Sequence, residues 1–437
     1  MQAAGNWRVR DGLGRALFWY VTNSDLWHHR KIESHRLLDG PRSRRHVSID
    51  LTVPDDGRLL VASVINDDLR AILVPLALVT KAALQDFDAS LAGSAMLVAD
   101  STVNGLASIE LLRTAWTFDV GRAPTDDEEE FLSTVVFSSR GGGEPSLVDA
   151  FLAGQGVSDT DVVARLSDFT KVLLGSLERC FLLLGLLPED TAGTHTLVKY
   201  SEHWELASAD RAGGFTRLNW LLASTGWTTA ALEIELNDAG LRPRSYHVEV
   251  HAPTGLLSER LVVERAREDG ADGGPPLGVD TRHTAVSHVV ASGVDRPPTA
   301  YVDLAVSTSG LLARAAVAFA ASAVLFVCAS FGPVAASVFD PAARSATSLF
   351  LAVIAVLLGS LTRDAENPVS SRYLLPLRVT LIVLAALYFI AGGLVAVGTG
   401  VDLGTAVIRV EALLVSAGAV LVVGGHRKAR RRQVQRA

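Results

Sequence analysis

The sequence predicts an α+β protein with a mixed N-terminal region, a β-sandwich-like module and a C-terminal four-helix transmembrane bundle. Three observations support this fold class. The 437 residues combine a mean hydropathy of +0.29 with 20% charged residues, which indicates a soluble part joined to an apolar part. Short alternating runs fill the middle of the chain, as half-buried strands do. Long uncharged runs fill residues 309–425, as membrane-spanning helices do.

The first predicted unit is an α+β region over residues 1–188. Its predicted strands are Val47–Val53, Leu59–Val64 and Ala71–Val79, and its predicted helices are Asn104–Trp116, Thr125–Phe137 and Asp159–Leu187. Asn104 is the expected N-cap of the first helix, and Thr125 with Glu128 forms a capping box at the start of the second. The third helix has apolar side chains on one face and ends before Pro188.

The second predicted unit is a β-sandwich-like module over residues 189–308. Its predicted strands are Thr194–Leu206, Arg217–Ser224, Thr228–Leu236, Tyr246–His251, Leu261–Arg265, Ala285–Ala291 and Tyr301–Val306. Seven short strands bounded by Gly, Asp, Asn or Pro are typical of a sandwich.

Four transmembrane helices are predicted over residues 309–425, and a basic tail follows over 426–437. The predicted spans are Ala315–Phe339, Ser345–Leu361, Val379–Val397 and Leu403–Gly424, of which the second is the shortest. Ionisable residues appear near helix ends only (Arg314, Arg409 and Glu411), which favours a packed anchor over a transporter or channel.

The distribution of charge sets the predicted orientation and partners. The six basic residues of the tail place it in the cytoplasm under the positive-inside rule, and an even number of spans places the N-terminal body there too. We therefore predict a multi-pass protein of the cell (inner) membrane with both termini cytoplasmic. Residues 47–300 contain 19 basic and 37 acidic side chains, a net charge of −18, which argues against a nucleic-acid partner.

Three blocks and their order carry a resemblance to a known group. The blocks are RRHVSIDLTVP (44–54), VPLALVTKAALQDFD (74–88) and SYHVEVHAPTGLL (245–257), and they precede a last strand that leads into a helical bundle. In these features the chain resembles a group of uncharacterised actinobacterial membrane proteins with a cytoplasmic β-rich domain. The resemblance implies this architecture, and it implies no catalytic residue because the group has no established activity.

The search for chemical motifs gives no catalytic, cofactor-binding or metal-binding residue. Nucleotide-binding, hydrolase and zinc motifs do not occur in the sequence. Cys180 and Cys328 are predicted to be packed thiols, and the acidic run Asp126–Glu130 is explained by its place in the first turn of a helix. The histidines and the pair Asp86 and Asp88 are likewise assigned to packing, surface or turn roles; the histidines considered are His28, His29, His195, His203, His247 and His251.

The N-terminal segment mixes aromatic and basic residues and leaves two interpretations open. Its aromatic residues are Trp7, Phe18, Trp19, Tyr20 and Trp27, and its first arginines are Arg8, Arg10 and Arg15. Such a mixture suits the headgroups of anionic lipids. The alternative, that the aromatic residues belong to the core of the first unit, is favoured.

The predicted function is a membrane-tethered cytoplasmic binding or sensing module. The predicted partners are the lipid bilayer, anionic headgroups near the basic tail and the N-terminal segment, and a further protein or small molecule. Two alternatives stay open. One is a signal-gated effector that perturbs the membrane, and the other is a membrane-bound enzyme without a recognisable motif, which the missing motifs disfavour.

Overall fold

The structure is a computed structural model that describes most of the chain. The described residues are 12–37, 43–55, 61–63, 70–81, 87–138, 146–155, 160–204, 217–236, 241, 243–265, 276–282, 284–291, 298–362, 368–398 and 401–436.

Helices and strands alternate irregularly before the long apolar helices begin. Up to Pro188 the elements are α1 (Leu13–Thr22), α2 (Ser24–Trp27), β1 (His28–Arg36), β2 (Ser43–Thr52), β3 (Val61–Ser63), β4 (Arg70–Thr80), β5 (Asp88–Leu91), β6 (Ser94–Ala95), β7 (Leu97–Val98), α3 (Ser101–Val120), α4 (Asp126–Phe137), α5 (Leu147–Leu152), α6 (Thr160–Arg165), α7 (Asp168–Arg179) and β8 (Cys180–Pro188). The next elements are β9 (His195–Trp204), α8 (Arg217–Ser224), β10 (Ala230–Glu235), β11 (Ser245–His251), β12 (Leu256–Arg265), β13 (Gly278–Asp280), β14 (Val286–Ala291) and β15 (Pro298–Val306). The last elements are α9 (Leu311–Ala329), α10 (Gly332–Val338), α11 (Arg344–Ser360), α12 (Pro368–Val397) and α13 (Val401–Arg436).

The described strands form three sheets, which makes the chain before α9 a mixed α+β structure. A seven-stranded sheet has the order β14-β11-β1-β2-β9-β5-β6. Two four-stranded sheets have the orders β10-β15-β12-β13 and β3-β4-β8-β7. In the large sheet, β1 pairs in parallel with β11 and antiparallel with β2. Strands from both sides of Pro188 therefore share one sheet.

The inner face of the seven-stranded sheet covers two separate apolar cores. The side chains of β2 and β9 join a core with α1, α3, β4 and β8. The side chains of β11 and β14 join a second core with β10, β12, β15 and the apolar helices. Strand β1 lies between β2 and β11, and its inner side chains are Lys31, Glu33 and His35. A row of charged and polar side chains thus separates the two cores.

The start of α4 agrees with the prediction, and the start of α3 differs from it. Helix α4 begins with the predicted capping box, in which Thr125 and Glu128 bond each other's backbone N–H. Helix α3 begins earlier than predicted, because Asp100 accepts the N–H of Val103 and acts as its N-cap. Asn104 is buried instead, and its side chain bonds the backbone of Ala99 and Leu184.

The prediction of one long helix over Asp159–Leu187 is wrong. The segment forms α6 and α7, and its last part is the strand β8, which pairs with β4 along its whole length. The run CFLLLGLLP is buried over nearly all its residues in the sheet interior. Such an apolar run fits a buried strand as well as a buried helix, so periodicity alone does not separate the two.

The prediction of a strand over Arg217–Ser224 is also wrong. This segment is the helix α8, which packs against α12. Trp220 of α8 lies 6.3 Å from the ring of Tyr373 in α12. The apolar side chains of α8 therefore serve a contact with the apolar helices and not a sheet.

Within the described residues, three helices are long and apolar enough to cross a membrane. They are Leu311–Ala329, Tyr373–Val397 and Asp402–Gln435, whereas Arg344–Ser360 is apolar but has only 17 residues. The prediction that Glu411 lies near a helix end is wrong. Glu411 is the eleventh residue of α13, is 3% exposed, and its carboxylate oxygens have no hydrogen-bond partner among the described residues.

Candidate ligand-binding face of the large sheet

The outer face of the seven-stranded sheet is mostly polar, although the exposed apolar side chains Leu197, Val286 and Val290 also lie on it. Successive side chains of a strand point to opposite faces, so the residues between the buried ones line the outer face. The row through Ser34 reads, from β14 to β5, His288, Glu249, Ser34, His46, Ser201 and Asp88. Donors and acceptors from six strands therefore meet along one line.

This row borders a groove with a volume of about 590 Å³. The groove is lined by the basic side chains Arg36, Arg44, His46, Lys199 and His251 and by the carboxylates Asp88 and Glu249. Four serines add hydroxyl groups: Ser34, Ser48, Ser90 and Ser201. Ligand sites in proteins usually combine a concave surface with a few convergent polar groups, and the groove meets both conditions.

Hydrogen bonds fix part of the groove in place. Arg44 donates from Nη2 to Ser201 Oγ at 3.0 Å across the pair of strands β2 and β9. His251 Nε2 lies 4.0 Å from Glu249 Oε2 on β11. Burial lowers the pKa of His251, and the nearby Arg36 lowers it further, so this imidazole is neutral at pH 7.

Two histidine pairs lie on the same face on either side of the groove. His247 Nδ1 is 3.0 Å from His288 Nε2, and the two rings stack. Burial lowers the pKa of His247, and a second charge on His288 would lower it further. The rings of His29 and His195 also stack, and His195 Nε2 lies 2.6 Å from Asp50 Oδ1.

A buried ion network lies on the inner face of the strands that form the groove. Glu33 accepts from Arg45 Nε at 2.5 Å and from the Tyr246 hydroxyl at 2.6 Å. Lys31 Nζ is 3.3 Å from Glu33, and His35 Nε2 is 3.1 Å from it. Arg45 Nη1 also donates to Glu202 at 2.9 Å. We call these six side chains the seam network.

The seam network is almost fully shielded from water. Lys31, Glu33 and His35 are each 0% exposed. Burial opposes the charge of Glu33, but Arg45 and Lys31 outweigh burial and hold the pKa of Glu33 well below its ordinary value. The same pairing holds the pKa of Arg45 above its ordinary value despite its burial. Both groups are therefore charged at neutral pH.

The structure brings only some of the histidines and aspartates named from the sequence together on one face. Asp88, His251 and, beside the groove, His247 share the outer face, whereas Asp86 and the side chain of His203 lie outside the described residues. His28 is buried against Trp27, with ring centroids 5.6 Å apart. Among the described residues, no group of three His, Cys, Asp or Glu side chains is placed to hold a metal ion.

The N-terminal aromatic residues that the structure describes pack into the first core. Tyr20 and Trp27 are 0% and 2% exposed, and the Trp27 indole donates to the backbone oxygen of Tyr20 at 2.9 Å. Phe18 and Trp19 pack against the same core. Trp7, Arg8 and Arg10 lie outside the described residues.

Sequence reasoning missed strand β1, which supplies the centre of both the groove and the seam network. The segment HHRKIESHR has almost no apolar residue, so no hydrophobic alternation marks it as a strand. A usable signal was the alternation of its charged residues with Ile32 and Ser34.

No protein-family model, curated protein or solved structure matches the chain.

Proposed function

We propose that the protein is a membrane-anchored cytoplasmic binding module and that the groove on the large sheet is its ligand site. The observation that carries the proposal is the convergence of polar side chains from β1, β2, β5, β9 and β11 on one groove. The apolar helices keep this site close to a membrane.

The charges in the groove favour a small polar ligand with an anionic group. Two arginines and one lysine face two carboxylates, so the groove has a surplus of positive charge even with both histidines neutral. Arginine forms fork-shaped hydrogen bonds with carboxylate and phosphate oxygens, and the serine hydroxyls suit further polar groups of a ligand.

The proposal includes four membrane spans, of which α11 is the shortest. It also places the C-terminal segment in the cytoplasm, on the same side as the chain before α9. The positive-inside rule supports this orientation, and so do contacts between the end of α13 and the soluble part. For example, His426 Nε2 lies 3.2 Å from the backbone oxygen of Thr308. Membership of the actinobacterial group, and contact of anionic headgroups with the basic segments, are part of the same proposal.

A calorimetric titration of the detergent-solubilised full chain tests the groove. The anionic probe is sulfate and the neutral polar probe is glucose, at constant ionic strength. We expect saturable binding of sulfate that Lys199→Gln weakens, because this exposed side chain supplies charge to the groove. Arg15→Gln is the matched control, since it removes one exposed arginine from α1.

Equal binding of sulfate by both variants would contradict the assignment of the groove. Binding of glucose and sulfate with the same affinity would contradict the anionic class of ligand while leaving the groove as the site.

A further inference from the structure

Three of the apolar helices, α9, α12 and α13, contact the preceding part of the chain at one of their ends. Helix α9 begins at Leu311 and the apolar segment of α12 begins at Tyr373, whose hydroxyl donates to the backbone oxygen of Leu304 at 2.8 Å. The apolar part of α13 ends at Gly424, just before His426 contacts Thr308. Residues 425–436 of α13 therefore continue as a helix beyond the apolar zone.

One face of this helical extension is fixed to the soluble body. A Cβ at Gly425 would clash with the backbone oxygen of Thr225, so the helix approaches this turn closely. Arg432 donates to the backbone oxygen of Gly226 at 2.5 Å and to Glu259 at 3.2 Å. The extension is consequently held in one orientation.

The opposite face carries three further arginines and is exposed. Arg427, Arg430, Arg431 and Val434 are exposed and border a shallow surface depression. Their spacing of three, one and three residues places them on one side of a helix. We call Arg427, Arg430 and Arg431 the arginine face.

Aromatic side chains lie where the arginine face meets the apolar zone. The Trp227 indole donates to the backbone oxygen of Leu421 at 2.7 Å, and Lys428 Nζ lies 5.4 Å from the centre of its ring. Trp220 and Tyr373 contact each other at the same junction. Tryptophan is enriched where apolar membrane meets headgroups, and Trp220 and Trp227 are half-buried at this junction, whereas Tyr373 is buried; the two tryptophans therefore fit the level of the lipid phosphates.

We propose that the arginine face, together with Trp227 and Lys428, binds the headgroups of anionic phospholipids. Three exposed guanidinium groups lie on the helix just beyond the apolar zone, and a guanidinium can bond phosphate oxygens with two N–H groups. Basic clusters directly beyond a membrane helix attract anionic lipids, with about a fivefold gain in affinity for each residue. The proposal deepens the headgroup contact of the proposed function by assigning it to these side chains; it rests on membrane insertion, and it is independent of the groove.

The test uses the full chain in nanodiscs or mixed micelles with either phosphatidylglycerol or phosphatidylcholine, with bound lipid counted by native mass spectrometry. The variant Arg427→Gln/Arg430→Gln/Arg431→Gln removes the arginine face. The matched control Arg165→Gln/Arg179→Gln/Arg282→Gln removes three exposed arginines that lie outside the two basic segments. We expect the wild type and the control to bind phosphatidylglycerol more tightly than phosphatidylcholine. In the arginine-face variant the ratio of the two affinities should be about 100-fold smaller.

Added salt provides a second measurement. The preference of the wild type should fall as the Debye length decreases from about 10 Å at 0.1 M to about 3 Å at 1 M. An unchanged preference in the arginine-face variant would overturn the proposal. Displacement of the lipid by millimolar glycerol phosphate would also overturn it, because it would identify a site for free anions. Carbonate extraction of cell membranes tests insertion separately, so a failure of insertion is recognised as such.

Discussion

Glu33→Gln removes the central carboxylate of the seam network and tests whether this network stabilises the fold. Glu33 accepts from Arg45 and Tyr246 and lies within 3.3 Å of Lys31 and His35. In the wild type, two cations face Glu33 and Glu202. In the variant, two buried cations share Glu202 alone, and the glutamine NH₂ group faces their N–H donors. Removing one partner of a buried ion pair costs about 3–5 kcal/mol of unfolding free energy.

The assay is thermal unfolding of the detergent-solubilised full chain, followed by tryptophan fluorescence. For a domain of 150–250 residues, about 3 kcal/mol corresponds to a decrease in Tm of about 6–12 °C. Glu130→Gln is the matched control, since Glu130 is exposed on α4 and surface substitutions stay within about 0.5 kcal/mol. The double variant Glu33→Gln/Arg45→Gln removes one charge of each sign. Its loss of unfolding free energy should therefore be smaller than the sum of the losses in Glu33→Gln and Arg45→Gln.

A Glu33→Gln protein that melts within 1–2 °C of the Glu130→Gln control would refute the reasoning, on the scale of about 2–4 °C per kcal/mol. Strictly additive costs in the double variant would refute the coupling between Glu33 and Arg45.

Two further predictions concern buried ionisable groups. Burial, followed by the charges of Lys31 and His29, lowers the pKa of His28 to about 3. Below pH 6.5 the unfolded chain therefore binds a proton at His28 that the folded chain does not bind. The free energy of unfolding of the wild type should decrease by about 1.4 kcal/mol per pH unit as the pH falls from about 6.5 towards 3. His28→Phe, which keeps an aromatic ring beside Trp27, should make the Tm less dependent on pH in this window; an unchanged pH profile would contradict the prediction. Glu411→Gln should leave the Tm equal or higher, since no described residue compensates this buried carboxylate within an apolar helix. A lower Tm for Glu411→Gln would indicate a stabilising partner.

Much of the fold was predictable where one face of an element is apolar. The strand predictions at β2, β11, β14 and β15 are confirmed to within a few residues, because alternation follows directly from a half-buried sheet, and β4 is confirmed as a continuous apolar run of strand length. The prediction failed at β8, whose two faces are both buried, and at α8, whose partner is a helix distant in sequence. In both cases the tertiary environment, which the local pattern does not contain, decides the conformation.

The candidate site was much less predictable than the fold. Its groove depends on the parallel pairing of β1 with β11, which are separated by more than 200 residues. Arg44, Lys199 and Glu249 each look like ordinary surface charges in the sequence. Only the sheet order places them around one groove, so no motif of fixed spacing could have revealed them.

The seam network also bears on the groove, because it fixes the register of β1. A shift of one residue would move Lys31, Glu33 and His35 to the outer face and place Arg30, Ile32 and Ser34 between the two cores. Apolar packing does not oppose this shift strongly, since the inner side chains of β1 are polar. The bonds from Glu33 to Arg45 of β2 and to Tyr246 of β11 do oppose it, because they require both neighbouring strands in one register. The same register places Ser34 between His46 and Glu249 in the groove.

It follows that Glu33→Gln should weaken the binding of sulfate although Glu33 does not line the groove. The measurement is the calorimetric titration below the Tm of the variant, with near-ultraviolet circular dichroism to verify that the chain is folded. A folded variant with the affinity of the wild type would mean that the apolar residues of β2 and β11 set the register without help from the charges. Weaker binding in Glu33→Gln, with normal binding in Glu130→Gln, would identify the buried charges as the element that positions the binding face.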